Sequence, residues 1–282
     1  MNVWEALQQG KHLLSQVSEE RDIEAELLLR ECLSLDRTRL YARLGEELSI
    51  EQEQAYRGLI VRRMMYEPTA YILGHKEFFG LDFEVTPAAI IPRPETELLV
   101  EIAIDFLRRH SDRAGQIVDV GTGSGVIAVS IAHAIPEARV VAVDVSADAL
   151  DLARRNAELH RVQKRIRFVQ GDMLAPLDGS AFRLIAANLP YVRTSDWEQL
   201  PREIREREPR AGLDGGPDGL QAIARLLEQA PKHLAPGGIL LAEIADDQGW
   251  AAADLAREAF PDACIEVRRD LTGRDRVLTL QV

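Results

Sequence analysis

Hydrophobic residues near the N-terminus recur with the period of an α-helix. Up to about residue 70, apolar side chains appear at helical spacing, as at Trp4, Leu7, Leu14, Ile23 and Leu28. This pattern predicts several helices that each bury one face. We therefore expect a small helical bundle as the N-terminal domain.

The last part of this bundle and the segment that follows it carry two further local patterns. Ser49, with Gln52 three residues later, matches a capping box and predicts the start of a helix that ends near residues 67–68. Aromatic and β-branched residues then surround Gly74 and Gly80, which predicts a short β-hairpin. We expect domains at 1–72 and 95–282, joined by a hairpin and linker at 73–94.

Beyond residue 95, short apolar runs alternate with amphipathic helical segments. The predicted strands are 116–120, 139–144, 166–170, 182–187, 238–244, 264–268 and 277–281. The predicted helices start at Thr96, at Val126, at Ala147 with Ser146 as its cap, after Gly219, and near Trp250. Regular alternation predicts an α/β fold with a mainly parallel sheet, covered on both faces, whose ligands bind at the carboxyl ends of the strands.

Composition narrows the classes of function. No apolar run reaches the roughly 18 residues needed to span a bilayer, and the N-terminus lacks a signal-peptide pattern. These features predict a cytoplasmic protein without membrane contact. The only cysteines, Cys32 and Cys264, are expected to be buried free thiols, and no metal-binding spacing is present.

Charge argues against a protein that binds mainly to phosphates. The net charge is -12, and Arg and Glu alternate between residues 202 and 210 instead of forming a basic patch. Nucleic-acid binding needs clustered Lys and Arg. We expect a solvated helical face in this segment and no direct nucleic-acid partner.

A glycine-rich turn follows the first strand of the alternating region. Its residues, DVGTGSG, include Asp119, Gly121, Thr122, Gly123, Ser124 and Gly125. Glycines allow a tight turn and close approach to a ligand, and the next helix presents free N–H groups. The spacing departs from GxGxxG, which weakens a dinucleotide interpretation and leaves a purely structural turn open.

Two further strand ends carry acidic residues. Asp144 ends the second strand, at the place where a carboxylate would accept hydrogen bonds from ribose hydroxyls. Asp172 follows the third strand, where it would accept from an adenine amine while Met173 packs on the ring. Each carboxylate alone could equally cap a helix, but three at successive strand ends predict a nucleoside cofactor.

The fourth strand ends in Asn188-Leu189-Pro190-Tyr191. The Asn188 oxygen and the Leu189 carbonyl can accept both N–H bonds of an NH₂ group and fix the direction of its lone pair. Pro190 stiffens the turn, and Tyr191 offers a face for stacking. We predict Asn188, Pro190 and Tyr191 as catalytic residues, with Leu189 also contacting the substrate.

The motifs from Asp119 to Met173 resemble those of Rossmann-like S-adenosylmethionine-dependent methyltransferases. The resemblance implies that the glycine turn lies against the methionine part of the cofactor and that Asp119 reaches its ammonium through water. It also implies a ribose contact for Asp144, an adenine contact for Asp172, a cofactor contact for Asn188, and S-adenosylhomocysteine as the product.

Two longer blocks resemble a narrower family. Residues 67–101 and 208–220 are similar to the signatures of the HemK-type protein-glutamine methyltransferases that act on peptide-chain release factors. The resemblance covers nearly the whole chain. It implies methyl transfer to the amide nitrogen of the glutamine in the Gly-Gly-Gln loop of class I release factors. Whether Arg93, Pro94, Glu95 and Thr96 line the active site or form a hinge stays open.

Leu189 departs from the family pattern, which has proline at this position. Asn-Leu-Pro-Tyr is common in ribosomal-RNA adenine dimethyltransferases, so an N6-adenine methyltransferase acting on RNA or DNA is the alternative. Those enzymes usually place their helical domain after the catalytic one and favour basic surfaces, unlike this chain. An NAD-dependent oxidoreductase or a non-catalytic cofactor-binding protein would leave the tetrapeptide unexplained. Leu189 keeps its carbonyl, so we expect a modest loss of rigidity and an unchanged reaction.

Overall fold

The computed structural model describes residues 1–110, 116–177 and 179–282. These residues form two compact units, one made of Met1–His75 with Pro201–Arg207 and the other of Lys76–Leu200 with Glu208–Val282. The α-helices are α1 (Val3–Leu14), α2 (Arg21–Leu33), α3 (Arg37–Ala42), α4 (Ile50–Met64), α5 (Thr69–Leu73), α6 (Glu97–Arg109), α7 (Val126–Ala134), α8 (Ala147–Leu159), α9 (Arg202–Arg207), α10 (Gln221–Gln229) and α11 (Gly249–Ala259). The strands are β1 (His75–Phe78), β2 (Leu81–Glu84), β3 (Gln116–Val120), β4 (Val140–Asp144), β5 (Ile166–Gln170), β6 (Phe182–Ala187), β7 (Leu234–Glu243), β8 (Cys264–Arg269) and β9 (Asp275–Gln281). Short 3-10 turns lie at Pro94–Thr96, Gln163–Arg165, Ala175–Leu177, Thr194–Gln199, Arg210–Gly212 and Ala230–Lys232.

The first unit is a helical bundle with its own apolar core. Leu7, Leu28 and Leu40 are among the buried residues that join α1, α2 and α3. The predicted capping box at the start of α4 is confirmed, because the Ser49 hydroxyl accepts from the Gln52 amide and the Gln52 side chain accepts from Ser49. The predicted N-terminal helical bundle is therefore confirmed.

A buried arginine in α4 connects this bundle to a segment that is distant in sequence. Arg63 is 1% exposed, pairs with Glu24 of α2 at 3.0 Å, and also pairs with Glu203 of α9. Next to it, the Arg202 guanidinium lies 4.2 Å from the centre of the Tyr66 ring. These contacts hold the short segment 201–207 within the first unit.

The second unit contains a sheet of seven strands in the order β5-β4-β3-β6-β7-β9-β8. Pairing is parallel from β5 through β7, while β9 runs antiparallel to both β7 and β8. The chain order reverses between β3 and β6, so their carboxyl ends are neighbours. In such sheets ligands bind at this reversal point.

Side chains alternate between the two faces of the sheet. Ile117 and Leu184 enter the core on the face covered by α6 and α7. Val118 and Ile185 enter the opposite core, under α10 and α11. The predicted mainly parallel sheet with both faces covered is confirmed, and so is the β1–β2 hairpin.

Four side chains differ from the expectations above, and one of them, Cys32, is only partly buried. Cys264 is exposed, because it lies on β8, the last strand of the sheet, which has a partner on one side only. Trp4 and Ile23 are about half exposed or more, since the helical period does not fix which apolar residue falls at the edge of the buried face.

Among the described residues, no helix is long and apolar enough to cross a membrane.

We predict that Arg63→Ala lowers the free energy of unfolding by about 3 kcal/mol, because it leaves the buried carboxylate of Glu24 without its arginine partner. The matched control is Arg62→Ala, which removes an exposed pair with Glu67 and should cost less than about 1 kcal/mol. Urea unfolding followed by far-ultraviolet circular dichroism measures both. Equal losses for the two variants would show that the buried pairs do not stabilise the bundle.

Candidate active site

A cavity of about 460 Å³ lies at the carboxyl ends of β3, β4, β5 and β6. Of the predicted site residues, it is lined by Gly121, Gly123, Asp144, Asp172, Met173, Asn188, Leu189 and Pro190. Asp119, Thr122, Ser124, Gly125 and Tyr191 are not part of its wall. The structure thus brings the three turns and the tetrapeptide to one place, with some of the predicted residues set behind the wall.

The glycine turn between β3 and α7 needs its glycines. Gly121, Gly123 and Gly125 have φ values of +72°, +55° and +85°, in the left-handed region that other residues rarely adopt. A Cβ atom at Gly125 would also lie 3.0 Å from the Cβ atom of Ala153 in α8. The turn is therefore fixed both by its dihedral angles and by close packing.

Asp119 lies behind this turn and is fully buried. Its Oδ2 atom accepts hydrogen bonds from the Thr122 hydroxyl at 2.6 Å and from the Ala128 amide at 3.0 Å. Within the described part of the chain, Oδ1 has no hydrogen-bond partner. Burial raises the pKa of Asp119 to about 7, against the two hydrogen bonds that lower it. A cation near Oδ1 would stabilise the ionised carboxylate.

Asp144 ties the glycine turn to the end of β4. Its Oδ2 atom accepts from the Gly123 amide and its Oδ1 atom from the Ser146 amide, each at 2.9 Å. Each carboxylate oxygen has a further lone pair for another donor. The Ser146 side chain caps α8, as predicted, by accepting from the Ala149 amide. Asp144 therefore enters the cavity in a fixed orientation with acceptor capacity left.

Asp172 has a partner that the sequence did not indicate. It forms an exposed salt bridge with Arg225 of α10, and both residues line the cavity. Met173 adopts a φ of +50°, which turns its buried side chain into the same wall. No sequence pattern linked Arg225 to Asp172, because they are 53 residues apart.

The Asn188 side chain is oriented by a hydrogen bond. Its Nδ2 atom donates to the Thr96 hydroxyl at 3.0 Å, and Thr96 is 1% exposed. Asn188 lines the cavity. Because the amide nitrogen is engaged, the amide oxygen is the atom left to accept from a ligand.

Leu189 and Tyr191 both point into packed surroundings. Leu189 is 5% exposed, and its Cδ2 atom would lie 3.0 Å from a Cβ atom at Gly121. The Tyr191 hydroxyl donates to the Glu243 carboxylate at 3.1 Å, and burial, with the nearby Glu243 charge, raises its pKa. Leu189 thus packs against the glycine turn, a role that proline would fill less completely.

The loop from residue 208 to 220 returns to the tetrapeptide. The Val192 amide donates to the Leu213 carbonyl at 2.9 Å, and the Gly215 amide donates to the Val192 carbonyl at 2.8 Å. A Cβ atom at Gly215 would lie 2.6 Å from the Pro190 carbonyl oxygen. This close approach explains why residue 215 is a glycine, and Gly212, Asp214 and Gly215 of the loop line the cavity.

The loop is also joined to the stretch that precedes α6. The Glu208 side chain accepts from the Ile91 amide at 3.0 Å and from the Arg93 guanidinium at 2.5 Å. Glu208 is buried. Residues of the two signature blocks, 67–101 and 208–220, therefore contact one another beside the cavity.

Comparisons with known proteins agree with this geometry. The PrmC N-terminal domain model matches residues 5–74, and the Methyltransferase small domain model matches residues 96–204. A release factor glutamine methyltransferase from Moorella thermoacetica is 46% identical over 254 residues, which is 90% of this chain and 89% of that protein. The chain belongs to the release factor glutamine methyltransferase family.

Other members of the family are similarly close. The protein of the same name from Geobacter sulfurreducens is 44% identical and covers 91% of this chain and 88% of its own length. The crystal structure of a methyltransferase from Pyrococcus furiosus has a TM-score of 0.52 at 20% identity, over 72% of this chain and 89% of that one. It shares the fold. As a member of this family, the chain is an S-adenosylmethionine-dependent methyltransferase.

The residues of the cavity fit this cofactor. Backbone of the glycine turn and apolar side chains such as Val145 and Met173 offer a wall for a nucleoside. Asp144 offers acceptors for hydroxyl groups. Among the residues that the structure describes, the buried Oδ1 atom of Asp119 has no hydrogen-bond partner, so it has capacity left to balance an ammonium group. When bound, S-adenosylmethionine supplies a methyl group on a positively charged sulfur.

We predict that the affinity for S-adenosylmethionine rises with pH, by up to about tenfold between pH 6 and 7.5. Asp119, with a pKa of about 7, is mostly protonated at pH 6, and a nearby ammonium group favours its ionised form. The dissociation constant should therefore fall as Asp119 ionises. Isothermal titration calorimetry at several pH values measures this.

Asp119→Asn should remove the pH dependence of the affinity for S-adenosylmethionine. Asp172→Asn should weaken binding but leave that pH dependence in place. A dissociation constant that is independent of pH in the parent would contradict the role of Asp119. So would an unchanged slope in Asp119→Asn.

Proposed function

We propose that this chain transfers a methyl group from S-adenosylmethionine to the side-chain amide nitrogen of the glutamine in the Gly-Gly-Gln loop of class I release factors. The observation that carries the proposal is the orientation of Asn188, whose Nδ2 atom is bound by Thr96. Its Oδ1 atom is then the acceptor for a substrate NH₂ group. The names of the Moorella and Geobacter relatives support glutamine as the acceptor.

The chemistry requires orientation more than a strong base. The lone pair of an amide nitrogen is delocalised into its carbonyl, so it attacks a methyl group poorly. Asn188 Oδ1 and the Leu189 carbonyl would accept its two N–H bonds and hold the lone pair toward the methyl group. The nitrogen would form a bond to the methyl carbon while the carbon–sulfur bond breaks and its electron pair stays on sulfur, and one N–H proton would leave to water.

The remaining predicted residues would bind the cofactor. We propose that Asp144 accepts from the ribose hydroxyls and that Asp119 balances the ammonium group. Asp172 would accept from the adenine amine, which requires that it share its carboxylate with Arg225. Pro190 would hold the turn rigid. Tyr191, which lies behind the cavity wall, would keep the shape of the acceptor site through its hydrogen bond to Glu243.

The partner of the enzyme would be a protein in the cytoplasm. Net charge of -12 disfavours tight binding to nucleic acid, so a release factor is a better partner than free RNA. A flexible loop carrying glutamine is the form of substrate that a cavity at the edge of the sheet admits. We accordingly propose no direct contact with nucleic acid or membrane.

The acceptor is tested by incubating the enzyme with labelled S-adenosylmethionine and either a purified class I release factor or total RNA. Label should appear on the glutamine of the Gly-Gly-Gln tryptic peptide, located by tandem mass spectrometry. Label in adenine of RNA alone would refute the proposal and support the adenine alternative.

Asn188→Ala should lower kcat by at least about 100-fold, because it removes an acceptor that orients the substrate nitrogen. Cofactor affinity, measured by calorimetry, should change far less. Near-parental kcat in this variant would contradict the proposed mechanism.

Leu189→Pro restores the family residue within the Asn188–Tyr191 tetrapeptide. The variant should keep the same acceptor, because the carbonyl of residue 189 is retained. Its thermal stability should fall somewhat, since the packing of Leu189 against Gly121 is lost. A change of acceptor from adenine in the parent to glutamine in the variant would overturn the family function for this chain.

A further inference from the structure

Glu243 is a buried carboxylate whose only part in the mechanism above is to accept a hydrogen bond from Tyr191. It ends β7, next to β6 in the sheet, and its exposed fraction is 0%. The Tyr191 hydroxyl donates to its Oε1 atom at 3.1 Å. Within the described residues, Oε2 makes no hydrogen bond of ordinary geometry. A buried charge is costly, so its retention beside the catalytic turn calls for a function.

Thr96 lies between Glu243 and the catalytic asparagine. Its hydroxyl oxygen accepts from Asn188 Nδ2 at 3.0 Å, which leaves its single proton to be donated elsewhere. The same hydroxyl favours the ionised form of Glu243. If the Thr96 hydroxyl donates to an ionised Glu243, the donors from Asn188 through Thr96 to Glu243 all point in one direction.

We infer that Thr96 and Glu243 are positioning residues of the acceptor site. Glu243 holds the two ends of the tetrapeptide, binding Tyr191 directly and orienting the Asn188 amide through the Thr96 hydroxyl. Without the hydroxyl, the Asn188 amide can rotate by 180° and present its nitrogen, a donor, to the substrate NH₂ group. The inference rests on the proposed function only in requiring an acceptor that carries an NH₂ group.

The groups around Glu243 determine its charge. Tyr191, Arg276 of β9 and Glu95 of the turn before α6 face it, and Arg276 also pairs with Asp270 at 3.2 Å. Burial raises the pKa of Glu243, while Thr96, Tyr191 and Arg276 lower it and Glu95 raises it. The ionised carboxylate can accept from both the Tyr191 and the Thr96 hydroxyls, whereas the protonated form offers a donor in place of one acceptor. We therefore expect activity to be lost on acidification at a pH higher than the pKa of an ordinary glutamate, because burial raises the pKa of Glu243.

Thr96→Val and Thr96→Ser form a matched pair that separates hydroxyl from shape. Valine keeps the volume and removes the hydroxyl, so kcat should fall by about tenfold or more, and serine should restore most of it. The dissociation constant of S-adenosylmethionine should stay within about twofold of the parent in both variants. Equal kcat values for the valine and serine variants would overturn the inference.

Glu243→Gln tests the charge. At saturating cofactor, which removes the influence of Asp119, the acidic decline of kcat in the parent should be absent from the glutamine variant. If Glu243 were merely structural, Glu243→Gln would lower kcat without altering the shape of its pH profile. An unchanged profile would therefore overturn the role of Glu243.

The assays use the full-length chain and both acceptors, release factor and total RNA. If the parent methylates only RNA, the proposed function fails. The Thr96→Val and Thr96→Ser variants are then compared by their kcat with RNA adenine as the acceptor. Nitrogen-15 NMR of the Asn188 side chain, assigned with Asn188→Ala, gives a readout without any acceptor. Its amide protons should exchange slowly in the parent and Thr96→Ser and faster in Thr96→Val, and equal rates in all three would contradict the inference.

Discussion

In the mechanism we propose, the direction of one side-chain amide governs the chemistry of this protein. Asn188 presents an oxygen to the cavity only while its nitrogen is bound, and the Thr96 hydroxyl supplies that bond. An asparagine free to rotate would present a donor and an acceptor with similar ease. Much of the second unit keeps this amide in place, from the start of α6 to the end of β7.

The sheet topology explains how the methyl donor and the acceptor would meet in the proposed mechanism. β3 and β6 are neighbours at the point where strand order reverses, with Val120 paired to Ala187. The glycine turn and the tetrapeptide therefore leave adjacent strands side by side. Leu189 packs against Gly121 across this junction, so the two turns are mechanically joined as well as adjacent.

Much of this arrangement follows from patterns within single segments of the sequence. Strand–helix alternation predicted the sheet, Ser49 and Ser146 predicted helix starts, and the glycines of 121–125 do adopt left-handed dihedral angles. Each of these features depends on residues only a few positions apart. Local chemistry was enough to place the motifs at strand ends and to predict that they converge.

Pairs distant in sequence were not predictable in the same way. Arg63 binds Glu203, so the acidic and basic run near residue 203 is partly buried against the helical bundle and not simply a solvated face. Arg225 binds Asp172, and Glu243 ends an apolar strand whose pattern gives no reason for a charge. These interactions depend on which elements pack together, and no period or spacing in one segment carries that information.

The central claim is that Asn188 and Leu189 hold the glutamine amide as acceptors. A crystal structure with S-adenosylhomocysteine and a Gly-Gly-Gln peptide tests it most directly. We expect the amide nitrogen of the glutamine to lie about 2.7–3.2 Å from both Asn188 Oδ1 and the Leu189 carbonyl oxygen. A peptide whose glutamine nitrogen lies outside this range of either oxygen, or an Asn188 amide turned away from Thr96, would contradict the account.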